Sequence, residues 1–432
     1  MTLPLMVFAI VLVLAMAALA IDVATLYMAK SEAQRAADAA ALAAARAFIL
    51  ASTTTAPGDP TAEDVATTLA QQQALAAVQT NNIAGRPGLL DPMEFSFSNP
   101  FSVKSNPTVT VKVEQTALPT FFSRIWSRAP NTVSATAMAE AYNPSETASN
   151  PAVNVQCVKP FIVPNKDPEH LPQGFVNVDG ALINPGRAAP NGTGIVGEFI
   201  KFNLDCPACG PGVFHSPNAT APDPSQTPPL PGQLDFVPAV LPTATSGAFC
   251  PACVGSSVTQ FEHDISCCNA AALACNTATG NTVTVDTITN VSGPSGPLTS
   301  GLQCLIHKQP ASGMDSLDPG GFPTAAGSPF RFLAGPNNPL VRGTSPVVHS
   351  GDAVSTSDSV ITLMIYNGPL PVSGIVDIVG YMQVFIVNED ASITPESFTG
   401  YILNVSGCGD AARPSAITGG GASPVAVRLI HN

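Results

Sequence analysis

The sequence predicts an α+β protein in three parts: a long N-terminal membrane-spanning helix, a small mixed helix-and-strand unit, and a β-rich, loop-rich C-terminal region containing disulfides. Three observations predict it. An uncharged apolar run, Leu3 to Ile21, continues into an alanine-rich stretch without a helix breaker, since neither glycine nor proline occurs between Pro4 and Pro57. The hydrophobic period then changes to strict alternation, at Phe95 and Phe97 and again at Val109, Val111 and Val113. Finally, all 10 cysteines lie between Cys157 and Cys408.

The first part is residues 1–50, anchor and helical stem. Leu3 to Ile21 would span about 28 Å as a helix, close to the roughly 30 Å hydrocarbon core of a bilayer. Two readings of this run stand side by side. A retained anchor continues directly into the stem. A cleaved signal would end at Ala18-Leu19-Ala20, which has small-x-small spacing, and would leave a secreted binding or adhesion protein. The length of the apolar run and the lack of a break near residue 20 favour the anchor. Beyond it, alanine dominates from Ala36 to Ala47, and such small side chains let a second helix or the protein's own globular part approach closely. A plain alanine-rich spacer is the alternative.

The second part is residues 51–143. Thr61 with Asp64 three residues on has the form of a capping box and opens a helix to about Ile83, stopped by Gly85 and Pro87. Alternating strands follow around Val109–Val113 and Thr132–Tyr142, with a short amphipathic helix, Leu118 to Trp126, between them. The polar stretch Asn143 to Asn150 reads as a linker.

The third part, residues 151–432, is loop-rich. Strands are expected at Val153–Val163, Val196–Phe202, Thr282–Ile288, Val360–Tyr366, Ile375–Val387 and Tyr401–Val405. Pro217–Pro242 is proline-dense and expected to be irregular, and Cys267–Cys275 is the one helix candidate.

Composition narrows the function classes. Charged residues make up 11% of the 432 residues, against roughly 25% in an average soluble domain. The 45% apolar content excludes a solvated disordered chain. With 42 prolines and 34 glycines, short strands and many turns are expected. A net charge of −13 with scattered basic residues argues against nucleic acid as a partner.

The cysteines, Cys157, Cys206, Cys209, Cys250, Cys253, Cys267, Cys268, Cys275, Cys304 and Cys408, read as structural disulfides in an oxidising compartment. That places the bulk of the chain outside the cytoplasm. Cys206-Pro207-Ala208-Cys209 and Cys250-Pro251-Ala252-Cys253 have two competing readings, as redox pairs or as zinc knuckles. The gap between them exceeds the usual zinc spacing, and neither sits in a βαβ setting. Adjacent Cys267 and Cys268 are expected to pair with different partners, and connectivity is otherwise open.

Two stretches of the stem resemble the N-terminal segment of the TadE/TadG-like family, components of the Flp (tight adherence, Tad) pilus-assembly system. They are Ile21-Asp22-Val23 with Leu26-Tyr27, and Gln34-Arg35-Ala36-Ala37-Asp38-Ala39-Ala40-Ala41-Leu42-Ala43. Val109-Thr110-Val111, Leu118-Pro119-Thr120-Phe121-Phe122-Ser123-Arg124 and Val133-Ser134-Ala135-Thr136-Ala137 are similar to the strand–helix–strand that ends TadG-like proteins. The resemblance covers roughly the first third of the chain. It implies a single-pass inner-membrane protein with an extracytoplasmic body, a pilin-like second unit, and the lipid bilayer and other pilus-assembly proteins as partners.

Asp22, Tyr27, Gln34 and Asp38 are the candidate helix-assembly positions. Asp22 is either a charge buried in a helix–helix contact or a hydrated carboxylate at the membrane edge. Asp38 either pairs across a helix interface or lies on a solvated face. Many TadG proteins also carry a von Willebrand type A domain, whose metal site needs Asp-x-Ser-x-Ser. Asp352-Ala353-Val354-Ser355 lacks the serine two residues after the aspartate, so no such site is expected.

No Gly-x-Ser-x-Gly elbow, His-Glu-x-x-His or phosphate loop occurs, and the six histidines are dispersed. The sequence therefore points to no enzyme, no cofactor, no metal and no small-molecule substrate.

Overall fold

The structure, a computed structural model, describes residues 2–50, 60–90, 96–97, 106–118, 131–143, 153–177, 180–188, 193–205, 232–242, 250–251, 253–254, 258–271, 273–274, 282–286, 296–308, 313–318, 331–342, 348–354, 356–367, 374–387, 393–408, 417–418 and 425–430. Helix α1, Thr2–Leu50, is one continuous element through the twenties, as the lack of breakers requires. Helix α2, Pro60–Thr80, ends three residues earlier than the periodicity suggests. The cause is a tight hairpin. β1 (Asn82–Ile83) pairs with β2 (Arg86–Pro87) through Ala84 and Gly85, at φ 50° and 77°. That conformation closes a two-residue turn and is open to glycine but strained for alanine. The Ala84 N–H donates to Glu32 Oε2 at 2.7 Å, which ties the turn to α1.

Four further strands complete the first unit: β3 (Leu89–Leu90), β4 (Ser96–Phe97), β5 (Thr108–Leu118) and β6 (Asn131–Tyr142). β5 and β6 form an antiparallel pair in register from Thr108↔Glu140 to Gln115↔Val133, and β3 and β4 pair with the other edge of β5. Val109, Val111 and Val113 are fully buried, as their alternation predicts. They meet Ala33, Ala37, Ala40 and Ala44 of α1 and Ala66, Leu69 and Ala74 of α2 in one core. Small side chains on the helices shorten the distance at which they can lie on the sheet and on each other. The alanine-rich stem is therefore a packed core element and not a bare spacer. The expected Leu118–Trp126 helix and the Asn143–Asn150 linker lie almost wholly outside the described residues.

The C-terminal region is built around strands β8 (Val158–Pro164), β9 (Phe199–Leu204) and β10 (Gln233–Val240). With them stand the short β7 (Val153–Val155), β11 (Leu273–Ala274) and β12 (Thr282–Val285), and helices α3 (Gln260–Ser266) and α4 (Pro297–Leu305). Then come β13 (Ser316–Asp318), β14 (Arg331–Leu333), β15 (Ala353–Val354), β16 (Val360–Tyr366), β17 (Ile375–Ile386), β18 (Ser397–Gly407), β19 (Ile417–Thr418) and β20 (Ala426–Ile430). The large sheet runs β12-β10-β8-β16-β17-β18-β9, and a parallel β10–β9 pairing closes six of its strands into a ring. Closure removes the free strand edges that would otherwise recruit other chains.

Phe161, Phe202, Phe236 and Phe398 fill its core, the Phe161 and Phe236 rings meeting edge-on at 5.0 Å and Phe202 and Phe398 stacking at 4.9 Å. Phe261 and Ile265 of α3 and Leu298 and Leu302 of α4 join the same cluster.

Several expectations are corrected here. The Val153–Val163 strand is two strands, broken where Cys157 takes φ 56°. The stretch ending at Pro242 is not irregular throughout, because Gln233–Val240 is a strand of the ring and contains Pro238. The helix lies before Cys267 and not after it, since Leu273–Ala274 is a strand. Finally, β20 returns to pair with β6, from Ala426↔Tyr142 to Ile430↔Met138. The sequence division had assigned this last strand to the C-terminal region, yet it extends the sheet of the first unit.

Candidate functional site

Helix α1 has two unlike halves. From Ala29 onward every third or fourth residue is buried against α2 and the first sheet. Before it, Phe8, Val13, Leu14, Met16 and Leu19 are all more than half exposed. A run of large apolar side chains with nothing covering it is what a soluble monomer avoids. From Met6 to Val23 the exposed run is about 27 Å long, near the thickness of a bilayer's hydrocarbon. The described residues contain one helix long and apolar enough to cross a membrane, and it is this one.

The four candidate positions fall differently. Asp22 is buried, at 3% exposure, on the boundary between the two halves. Tyr27 is 79% exposed beside an exposed Met28. Gln34 and Asp38 are joined along the helix, Gln34 Nε2 donating to Asp38 Oδ1 at 2.8 Å, and Gln34 also reaches the Thr136 carbonyl of β6 at 3.4 Å. Gln34 and Asp38 thus serve the protein's own packing, while Tyr27 stays available at the surface.

The foot of α1 rests on the closed sheet. Asn404 Nδ2 donates to the Ile49 carbonyl at 3.2 Å and to Gln383 Oε1 at 3.0 Å, and Asn143 Nδ2 donates to the Val405 carbonyl at 3.3 Å. A cavity of about 500 Å³ opens there, lined by the apolar Ile49, Leu50, Phe332 and Leu403 and by the ionisable Lys159, His307 and Asp358. Burial pushes the Lys159 amine down to about 8, partly offset by the Asp358 and Asp264 carboxylates. Its Nζ donates to the Cys267 carbonyl at 2.8 Å. His307 Nε2 meets Asp358 Oδ2 at 2.7 Å. Sequence reasoning passed over Lys159, although a lysine inside the otherwise apolar Val158–Pro164 was a visible signal.

Two disulfides reach this cavity, Cys157–Cys268 and Cys250–Cys267, and a third joins Cys253 to Cys304. Cys408 is also disulfide-bonded, and none of the described cysteines is free. Cys267 and Cys268 do pair with different partners, and the Cys250–Cys253 tetrapeptide is split between two bridges. It is therefore neither a redox pair nor half of a zinc knuckle. Cys206, Cys209 and Cys275 lie outside the described residues.

Residues 1–47 match the family described as Flp pilus-assembly TadE/G-like, and this match stops within α1. No curated protein and no solved structure matches the chain.

Proposed function

We propose that a chain beginning with this TadE/G-like segment is a membrane-anchored accessory or minor structural component of Flp/Tad-type pilus assembly. The single observation carrying this reading is the coincidence, on one helix, of the family match and the uncovered apolar run. The first half of α1 is the single-pass anchor in the inner membrane. Its second half is the spine of a pilin-like α+β unit, around which α2 and the first sheet fold.

Disulfides support an extracytoplasmic body, since they persist where thiols are not kept reduced. The closed β-rich region is then the part presented for protein or surface contact, and Tyr27 and Met28 the part of the stem presented to other pilus-assembly proteins. The role is one of assembly and not catalysis.

Fractionation with N-terminal sequencing tests this. The anchored reading expects an intact N-terminus in the membrane pellet. A mature chain that starts at Ile21 and stays in the soluble fraction would replace it with the secreted binding protein. Cross-linking through a photoreactive residue at Tyr27 tests the assembly role, which expects adducts with pilus-assembly proteins.

A further inference from the structure

Away from the stem and its cavity, Asp167, His170 and Glu198 converge. Asp167 and His170 lie on the loop after β8, one turn apart in Asp167-Pro168-Glu169-His170, and Glu198 immediately precedes β9. Backbone hydrogen bonds cross the loop: the Asp167 N–H donates to the Gln173 carbonyl at 2.9 Å, and the Gln173 N–H returns to the His170 carbonyl at 3.0 Å. Glu198 is held by its backbone, whose carbonyl accepts from the Ile402 N–H at 3.0 Å.

His170 Nδ1 lies 2.8 Å from Asp167 Oδ2 and 3.3 Å from Glu198 Oε1. One nitrogen carries at most one proton, and the shorter, better-aligned contact with Asp167 takes it. Both oxygens of Glu198 are then left without a hydrogen bond, on a side chain that is 2% exposed. An unpaired buried carboxylate costs several kcal/mol unless a proton or a cation neutralises it (order of magnitude).

We infer that Asp167, His170 and Glu198 form a binding site for a divalent first-row transition metal, zinc in the first place. The donor atoms all lie within 4.8 Å of one another. In a tetrahedral shell, donors about 2.0–2.2 Å from zinc stand roughly 3.3–3.6 Å apart. The 3.3 Å separation of His170 from Glu198 fits this, while the 2.8 Å hydrogen bond to Asp167 has to open as the metal displaces the Nδ1 proton. One imidazole nitrogen with two carboxylate oxygens suits zinc or manganese and excludes soft, thiolate-seeking metals.

Outer partners that orient the ligands are present. Asp167 Oδ1 accepts from the Glu169 N–H at 3.0 Å, and Asn184 Nδ2 bridges toward Asp167 Oδ2 at 3.5 Å while donating to Gln173 Oε1 at 2.9 Å. His170 is partly exposed, which gives an ion access to the cluster from solvent. The metal would fasten the loop after β8 to the start of β9. This departs from the expectation of no metal, which rested on the lack of a metal-binding motif, the dispersed histidines, the spacing of the Cys-x-x-Cys pairs and the incomplete element at Asp352.

The test uses the full-length protein in detergent, stripped with EDTA and titrated with Zn²⁺ alone. One equivalent is expected to bind, raising the melting midpoint by about 5 °C or more at saturating metal. Glu198→Gln keeps the shape and is expected to weaken binding at least ~100-fold while retaining the wild-type circular dichroism. Zinc-edge absorption on the wild type reports the shell independently of any variant: nitrogen and oxygen neighbours with a single imidazole are expected. A sulfur shell, which would require the Cys250–Cys267 bridge to be reduced and would point to those cysteines with His263, would overturn the assignment. So would binding unchanged in Glu198→Gln, or no binding by the stripped wild type.

Discussion

Placing arginines in the exposed half of α1 separates anchoring from folding. Val11 and Leu14 sit near the middle of the uncovered run, at 59% and 63% exposure. Between Met6 and Val23 stand about ten Val, Leu, Ile and Phe residues, each favouring membrane insertion by about 0.3–0.6 kcal/mol at the helix centre. Their sum is on the order of −5 kcal/mol. One arginine costs about 3 kcal/mol and removes one favourable side chain, which leaves insertion weakly favourable.

Two arginines, Val11→Arg with Leu14→Arg, turn the balance unfavourable by about 2 kcal/mol. The single variants are therefore expected to remain mostly in the carbonate-washed membrane pellet, and the double variant to leave it. Because the uncovered run lies outside the core that begins at Ala29, the melting midpoint of the extramembrane body is expected to stay unchanged. A double variant that pellets as fully as the wild type would refute the anchor. A wild-type chain already soluble would do the same.

Ala40→Leu, at a fully buried position between α1 and the sheet, is expected to destabilise the folded body by about 1–3 kcal/mol in urea melts, whereas Tyr27→Ala is expected to be neutral. Removing Cys253 and Cys304 together frees a loop spanning 51 residues and is expected to cost about 4 kcal/mol in the chain-entropy account, read by the same melts. Lys159→Met carries a pH signature. The folded amine, at about 8, releases its proton before the unfolded one at 10.5, so the unfolded state holds more protons between these values and wild-type stability rises with pH across them. The stability of Lys159→Met relative to wild type is expected to fall by up to ~3 kcal/mol over that window, measured by paired melts at pH 7 and above pH 9.5.

What could be read along the chain was whatever depends on near neighbours. α1 was legible because helix continuity is decided residue by residue, and Val360–Tyr366 was read to the residue from its run of apolar side chains. Gln233–Val240 was not legible. Its proline content signalled a loop, but Pro238 lies where the strand changes partners. Gln233–Phe236 pair with β9, and Ala239 and Val240 pair with β12. The absent N–H costs little at such a changeover. Glu198 and His170 carried no local mark either, because their convergence depends on a loop and a distant strand meeting.

Local sequence was enough for the unbroken rod of α1, its apolar first half, the oxidised character of the C-terminal region and the period-2 strands. Each of these follows from short-range sterics and hydropathy. Long-range packing alone decided that the alanine face is buried at home, which partners Cys267 and Cys268 take, and that six strands close into a ring. It also decided that the last strand, Ala426–Ile430, completes the first sheet. These depend on contacts between residues far apart in the chain, whose pairing is chosen by the packing of the whole and leaves no periodic trace in any one segment.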